Sequence, residues 1–229
     1  NKVCPIITPV NYMTHKMHSY AAFAKDLSIR QRGSSGGLFS VFAKWIIGQG
    51  GYVVGAAFRD EHTVRHIIIN NLHDLFALQG SKYVQSTIGH VMKDIKLKLN
   101  DGYKVLFVGT SCQVAGLLNF LRRNYENLYT IDLVCHGVPS PKLFKKYIDY
   151  LKEKRPNFHS FNFRNLKGWN CNSSSSSRNP RTGEITTEVL YGYDMAYFAL
   201  FINSYINREC CYKCQYAHSK HRIGDITLA

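Results

Sequence analysis

The spacing of apolar residues along this 229-residue chain changes period several times. Residues 1–32 are mixed and show little period. After Gly33-Ser34-Ser35-Gly36-Gly37, the run Leu38 to Ile47 places apolar side chains at helical spacing. Ser34 or Ser35 is expected to cap that helix and Gly50-Gly51 to end it. Tyr52–Phe58 then reads as a buried strand, with Val64–Ile69 as its hairpin partner. A short helix is expected over Leu72–Leu78, followed by Gln79–Gln85 and a longer helix from about Ser86 to Leu99.

The second half reads as an α/β unit. Asp101-Gly102 forms a turn, Lys104–Val108 a strand, and Gly109-Thr110-Ser111-Cys112 a tight loop into a helix from about Gln113 to Arg123. A second strand, Leu128–Val134, ends at Cys135-His136-Gly137-Val138-Pro139. Two strand ends that each deliver a cysteine loop suggest one shared site, because α/β sheets place ligands at the carboxyl ends of their strands. A helix over Pro141–Lys154 comes next. Ser160–Arg164 and Ile185–Tyr191 read as strands around a polar loop with five consecutive serines, Ser173–Ser177, which is expected to be mobile or to close over a ligand. No internal repeat is visible. The fold class expected is α/β: a mixed sheet flanked by helices, with a smaller N-terminal α+β part.

Composition narrows the class. Hydrophobic residues make up 45% and charged residues 19%, a globular balance. The longest apolar stretches, such as Met195–Ile202 and Tyr52–Phe58, fall far short of the roughly 20 residues that cross a bilayer. The chain opens at Asn1 without a signal peptide or a methionine, which fits a cytoplasmic segment of a larger polypeptide. The net charge of +14 is scattered in pairs such as Arg122–Arg123 and Lys145–Lys146 rather than gathered in a tract. That scatter argues for a solvated surface, or attraction of anionic cofactors and acidic partners, over nucleic acid.

Seven cysteines without an export signal argue against a disulfide scaffold and for metal binding. Cys211-Tyr212-Lys213-Cys214 is a C-x-x-C that can grip one metal centre. Alone it is ambiguous between zinc, an iron–sulfur cluster and a dithiol pair. No second C-x-x-C exists, so a zinc ribbon is excluded. Cys112 and Cys135 at strand-end loops bring the thiol count to four, enough for a cubane cluster, although each taken singly could equally be a small buried apolar residue. Cys4-Pro5 has the form that closes bacterial ferredoxin motifs, or is a chance pair. Cys171 and Cys210 have no spacing argument and are read as structural.

The glycine loops give a second signal. Ser34, Ser35, Gly36 and Gly37 at a helix N-terminus offer backbone amides and a positive dipole end, suited to a flavin's phosphates or to a plain capped turn. Gly80, Ser81, Lys82 and Tyr83 combine a cation, hydroxyls and an aromatic face. Lys82 could lie near the N1–O2 edge of a reduced flavin, where its charge favours hydride acceptance, or could be an ordinary surface lysine.

Taken in order, these segments resemble one family. They are the Ser34–Gly37 loop, Gly80 to Ser86, Gly109 to Leu117, Asp132 to Ser140, and Cys211 to Cys214 followed by Arg222-Ile223-Gly224-Asp225-Ile226-Thr227. From about Arg32 to Ala229 the chain is similar to the coenzyme F420 hydrogenase/dehydrogenase beta-subunit family. The resemblance implies an electron-transferring oxidoreductase subunit with FAD and one 4Fe-4S cluster, often preceded by a ferredoxin module. By position, Cys112, Cys135, Cys211 and Cys214 would be cluster ligands. The Ser-Gly loop, Gly80 to Tyr83 with Gln85, and Thr110 with Gln113 would line the flavin, and Lys82 would be catalytic. Ser111 stands where the family usually has proline, which should loosen the turn. Relatives continue past Ala229.

The division expected is a linker or ferredoxin tail over 1–31, one family domain over 32–100 and a truncated second over 101–229. A ferredoxin-like module or redox subunit and a small electron carrier, with coenzyme F420 a candidate substrate, are the implied partners. Homo-oligomerisation is left open, and the resemblance does not fix the substrate. The competing reading is a zinc-stabilised module that binds nucleic acid or protein.

Overall fold

The computed structural model describes residues 2–10, 18–164, 172–217 and 222–229. At its centre lie six strands, β1 (Tyr52–Phe58), β2 (Val64–Ile69), β3 (Ser86–Thr87), β4 (Val105–Thr110), β5 (Leu128–Leu133) and β9 (Ile226–Leu228). They form one sheet in the order β3-β2-β1-β4-β5-β9. Strands β1, β4, β5 and β9 run parallel, while β2 pairs antiparallel with β1 and parallel with β3, so the sheet is mixed. Strands from both sides of Asp101 share it.

Alternation along β4 explains the layers. Successive side chains point to opposite faces. Val105 and Phe107 pack with Val54 under α4 (Val91–Asn100) and α5 (Ser111–Leu121). Leu106 and Val108 pack with Val53 and Ile131 under α2 (Leu38–Gly48) and α3 (Leu75–Leu78). All four β4 residues are buried, as a central parallel strand covered on both faces must be. A third, aromatic core joins α6 (Pro141–Lys154) to Phe161, Phe163, Leu190 and Tyr197. Phe144, Tyr147, Ile148 and Leu151 form the buried stripe of α6, Ser140 caps it, and Pro141 takes the first turn, where a missing N–H costs nothing. Of the remaining helices, α1 spans Leu27–Arg32, α7 Ala196–Ile202 and α8 Glu209–Tyr212.

Several expectations are corrected. The serine run is not a loop: β7 (Ser174–Arg178) is the middle strand of a second, antiparallel sheet between β6 (Phe158–Asn162) and β8 (Ile185–Val189). Ser173 to Ser176 are buried, because small hydroxyls satisfy themselves locally, as Ser176 Oγ does with Thr187 Oγ1 at 2.8 Å. Neither Ser34 nor Ser35 caps α2, whose N-cap is Gly37 at φ +76°. A Cβ there would press on Ile29 and Arg30 at 3.1–3.3 Å. The helix expected from Ser86 splits into β3 and α4, since Gly89 at φ +56° breaks the run. Cys171 lies outside the described residues. No helix among them is long and apolar enough to cross a membrane.

Candidate functional site

The carboxyl edge of β4 and β5 carries Cys112 and Cys135. Cys112 is the second residue of α5, and Cys135 follows β5 by two residues. The C-x-x-C segment reaches them through backbone contacts rather than through the main sheet. Asn207 forms a bridge with Pro139, Arg208 N–H donates to Val138 O at 3.0 Å, and Asn207 Nδ2 donates to His136 O at 3.1 Å. Gly137 makes this approach possible. At φ +125° it lies against Asn207, where a Cβ would come within 2.4 Å of Nδ2.

The thiols of Cys112, Cys135, Cys211 and Cys214 consequently lie within electrostatic reach of one another. Burial is the first cause of a raised pKa at Cys112, at Cys211 and at Cys135, the last pushed up to about 11. Neighbouring thiols add to each: Cys214 and Cys210 to Cys112, Cys210 and then Cys112 to Cys211, and Cys112, Cys211 and Cys214 to Cys135. Half-buried thiols that repel one another as anions are a setting that a bound cationic centre relieves. Thiols gathered in this way are the donor chemistry that a soft metal or iron–sulfur centre takes. The thiols are gathered rather than closed round a point, since among the described residues no three His, Cys, Asp or Glu side chains meet in a metal-holding group. Cys210, read as structural, is exposed and hydrogen-bonds to Cys211 beside the site. Cys4 is also near the C-x-x-C segment: Pro5 O accepts from Gln215 Nε2 at 2.7 Å and Tyr216 Oη at 3.0 Å.

A directed chain of hydrogen bonds leaves this site. The Thr110 side chain accepts from the backbone N–H of Gln113 in a capping box, so its own proton is free to point at Cys112 Sγ, 3.2 Å away. Gln113 Oε1 accepts from Thr110 N–H at 3.0 Å, and its Nε2 donates to Ser86 Oγ at 3.0 Å. Ser86 Oγ in turn meets His66 Nδ1 at 2.9 Å, while His66 Nε2 meets Val108 O at 3.2 Å. A carbonyl only accepts, so Nε2 carries the proton and Nδ1 accepts from Ser86. Burial holds His66 neutral by lowering its pKa to about 4. Sequence reasoning missed His66, whose only signal was a lone histidine in an apolar strand.

Ser111 does not loosen its turn. Its hydroxyl donates to Asp132 Oδ2 at 2.7 Å and accepts from Arg222 Nη2 at 3.0 Å. Arg222 also pairs with the fully buried Asp132 at 2.8 Å, and Thr227 Oγ1 donates to the same carboxylate at 2.6 Å. This knot ties the segment after the C-x-x-C to β5.

The two small-residue loops meet. Ser81 N–H donates to Ser34 Oγ at 2.7 Å, and Gln79 Nε2 donates to Ser40 Oγ at 2.8 Å. Ser35 Oγ accepts from Gly36 N–H at 2.6 Å. Gln85 N–H donates to Pro139 O at 3.2 Å, which links the second loop to the Cys135 segment. Tyr83 stacks on Phe201, 4.9 Å between centroids, and Phe201 meets His136 edge-on at 5.3 Å. Lys82 is not splayed outward: its ammonium donates to the carbonyls of Gln79 at 2.9 Å, Gly80 at 3.1 Å and Leu78 at 3.5 Å. Those carbonyls end α3, where a cation is favoured. The stem keeps some exposure, yet burial of the head lowers its pKa to about 8.

Residues 102–229 match a family model that describes the C-terminal part of the coenzyme F420 hydrogenase/dehydrogenase beta subunit. The chain belongs to this family. The family takes its description from a subunit of hydrogenases and dehydrogenases, which are oxidoreductases. The chain is also similar to a chain of the F420-reducing [NiFe] hydrogenase complex from Methanosarcina barkeri, with a TM-score of 0.51 and 16% identity. The alignment covers 84% of this chain and 63% of that one, so this F420 hydrogenase-family chain spans under two thirds of its structural neighbour. At that identity the likeness speaks for the fold. No curated protein matches the sequence.

Proposed function

We propose that the chain is an electron-transferring flavo-iron–sulfur oxidoreductase subunit. Cys112, Cys135, Cys211 and Cys214 would hold a 4Fe-4S cluster, and the Ser34–Gly37 and Gly80–Gln85 loops would hold FAD. Bound there, the two groups would exchange single electrons and hydride respectively. The observation that carries this reading is the gathering of four thiols from three chain segments, tied by a backbone hydrogen bond to the paired small-residue loops.

The chain's own residues have separable tasks. Thr110 Oγ1, held by the Gln113 backbone N–H, lies 3.2 Å from Cys112 Sγ and would donate to it as a thiolate, while the Gln113, Ser86 and His66 side chains hold the Thr110 backbone N–H in place. Donation to a sulfur stabilises the more negative, reduced state of a thiolate-held centre. Gly37 caps α2 with backbone alone, so the helix N-terminus behind it would favour an anionic group, although Gly36 N–H is already taken by Ser35 Oγ. Lys82 shapes the second loop through three carbonyls and leaves its charge beside the site. A ferredoxin-like module or redox subunit and a small two-electron carrier such as a deazaflavin would be the partners.

Anaerobic reconstitution of the chain with iron, sulfide and FAD tests the reading. The expected product absorbs broadly in the visible with superposed flavin bands, and holds about four irons per chain. A colourless protein that retains zinc alone would overturn it in favour of a zinc-stabilised module.

A further inference from the structure

Away from the thiols, α6 and the segment Gly192–Ile202 enclose an apolar groove of about 380 Å³. Its walls follow helical spacing on both sides: Leu143, Tyr147 and Tyr150 on α6, and Tyr193, Tyr197 and Leu200 opposite. Tyr193 is 92% exposed and Leu200 40%, more apolar surface than a sealed core leaves outside. The lysines of α6 sort by flank. Lys145 pairs with Asp149 and Lys152 with Glu61, on the side away from the groove. Lys146 lines the groove and Lys142 lies one turn before it, a short row at its edge that enters none of the ion pairs among the described residues, while Lys154 lies over the Tyr150 ring at 6.0 Å. The nearby carboxylate of Asp194 is already held by Arg155 at 2.6 Å and Tyr150 Oη at 3.1 Å.

We propose that this groove receives an acidic amphipathic helix from a partner protein. A trough between two helical segments accepts the ridge of a third, with apolar anchors at three- and four-residue spacing and carboxylates meeting the lysine row. From Leu143 to Tyr150 the groove runs about 10 Å along α6, some two helical turns. A flat bilayer does not fill such a trough. A second copy of this chain is disfavoured by its own charge of +14. The floor also touches the candidate site: Tyr197 Oη donates to Tyr83 O at 2.8 Å, in the Gly80–Gln85 loop. A partner seated here would lie one side chain from that loop. The proposal concerns binding alone and stands whether or not the cofactor reading holds.

The probe is a labelled peptide of about 18 residues, long enough for five helical turns, with leucines on one face and glutamates elsewhere. Its anisotropy is titrated with the full chain, beside a scrambled peptide of equal composition. Saturable binding that weakens about tenfold for the scrambled peptide, for Lys142→Glu/Lys146→Glu and for Leu200→Asp is the expected result. Tyr193→Ser should weaken it as well, and its 92% exposure leaves folding unaffected. No saturation by about 1 mM, a free energy weaker than about −4 kcal/mol, would overturn the proposal. So would equal binding of the scrambled peptide, which would mean charge alone. Self-association of the parent that Leu200→Asp abolishes, or sedimentation with anionic vesicles in place of peptide binding, would assign the groove to those occupants instead.

Discussion

Gly137→Ala offers a sharp test of how the thiol site is assembled. The glycine has φ +125°, a region open to few side chains, so alanine carries a backbone cost of about 1–3 kcal/mol. The new Cβ would lie 2.4 Å from Asn207 Nδ2 and 2.5 Å from its Cγ, where contacts of about 3.5 Å are normal. Asn207 must therefore move by about 1 Å, which breaks its bond to His136 O and removes about 0.5–1.5 kcal/mol. The sum, about 2–4 kcal/mol, corresponds to a fall in Tm of roughly 5–15 °C for a chain of this size. Because Asn207 leads directly into the C-x-x-C segment, iron uptake should fall along with stability. Thermal unfolding by circular dichroism and iron analysis after reconstitution measure both. Asn207→Gly in the same chain should recover the steric part and leave the backbone part, so the two substitutions should be non-additive by about 1 kcal/mol. A Tm within a degree of the parent together with full iron would refute the argument that Gly137 brings Cys135 to the C-x-x-C segment.

Four further outcomes are expected. Cys214→Ser should lower iron and sulfide to near zero after reconstitution, and full iron in that variant would remove Cys214 from the ligand set. Thr110→Val, which keeps the shape but loses the hydroxyl, should lower the midpoint potential of the bound centre and cost about 1 kcal/mol of helix capping, whereas Thr110→Ser should restore both; an unmoved potential would show that the hydroxyl does not act on Cys112. His66 has a folded pKa of about 4, below the usual 6.5, so its contribution to stability is complete above pH 6.5 and is lost as pH falls toward 4; His66→Gln should flatten that part of the Tm profile, and an unchanged slope would exclude it. Lys82 is depressed to about 8 from 10.5, so stability should rise between pH 8 and 10.5 in the parent and not in Lys82→Met, while a fall in flavin potential in the same variant, measured by redox titration, would support a role beside the flavin.

The parallel strands were legible because buried runs such as Val105 to Val108 carry few polar interruptions and end at glycine and cysteine. The strand-end position of Cys112 and Cys135 followed directly from that. What failed was structure set by distant packing. The serine run has no apolar period, so nothing in it distinguishes an exposed loop from a strand buried between β6 and β8. The cap of α2 was misread because Ser34 bonds to Ser81, 47 residues away, in preference to its own helix. Ser111 looked like a weakened proline position, and its pairing with Asp132 and Arg222 became visible only once β5 and β9 were adjacent. His66 and the lysine row of α6 were similarly silent, since their meaning depends on which neighbours are paired.

The buried serine strand also bears on how this chain can go wrong. Register is ordinarily specified by side chains that fit one face and not the other, yet Ser174 to Ser177 are interchangeable at every step. A slip that moves Ser173 to Ser175 into the places of Ser175 to Ser177 would keep those three hydroxyls on their proper faces, with Asn172 entering the strand. The markers against it lie outside the repeat: the irregularity between Phe158 and Ser160 on β6, and Phe161 and Phe163 locked in the aromatic core. Substitutions that soften those aromatic anchors would therefore do harm out of proportion to lost packing, by admitting a family of near-degenerate, mispaired hairpins.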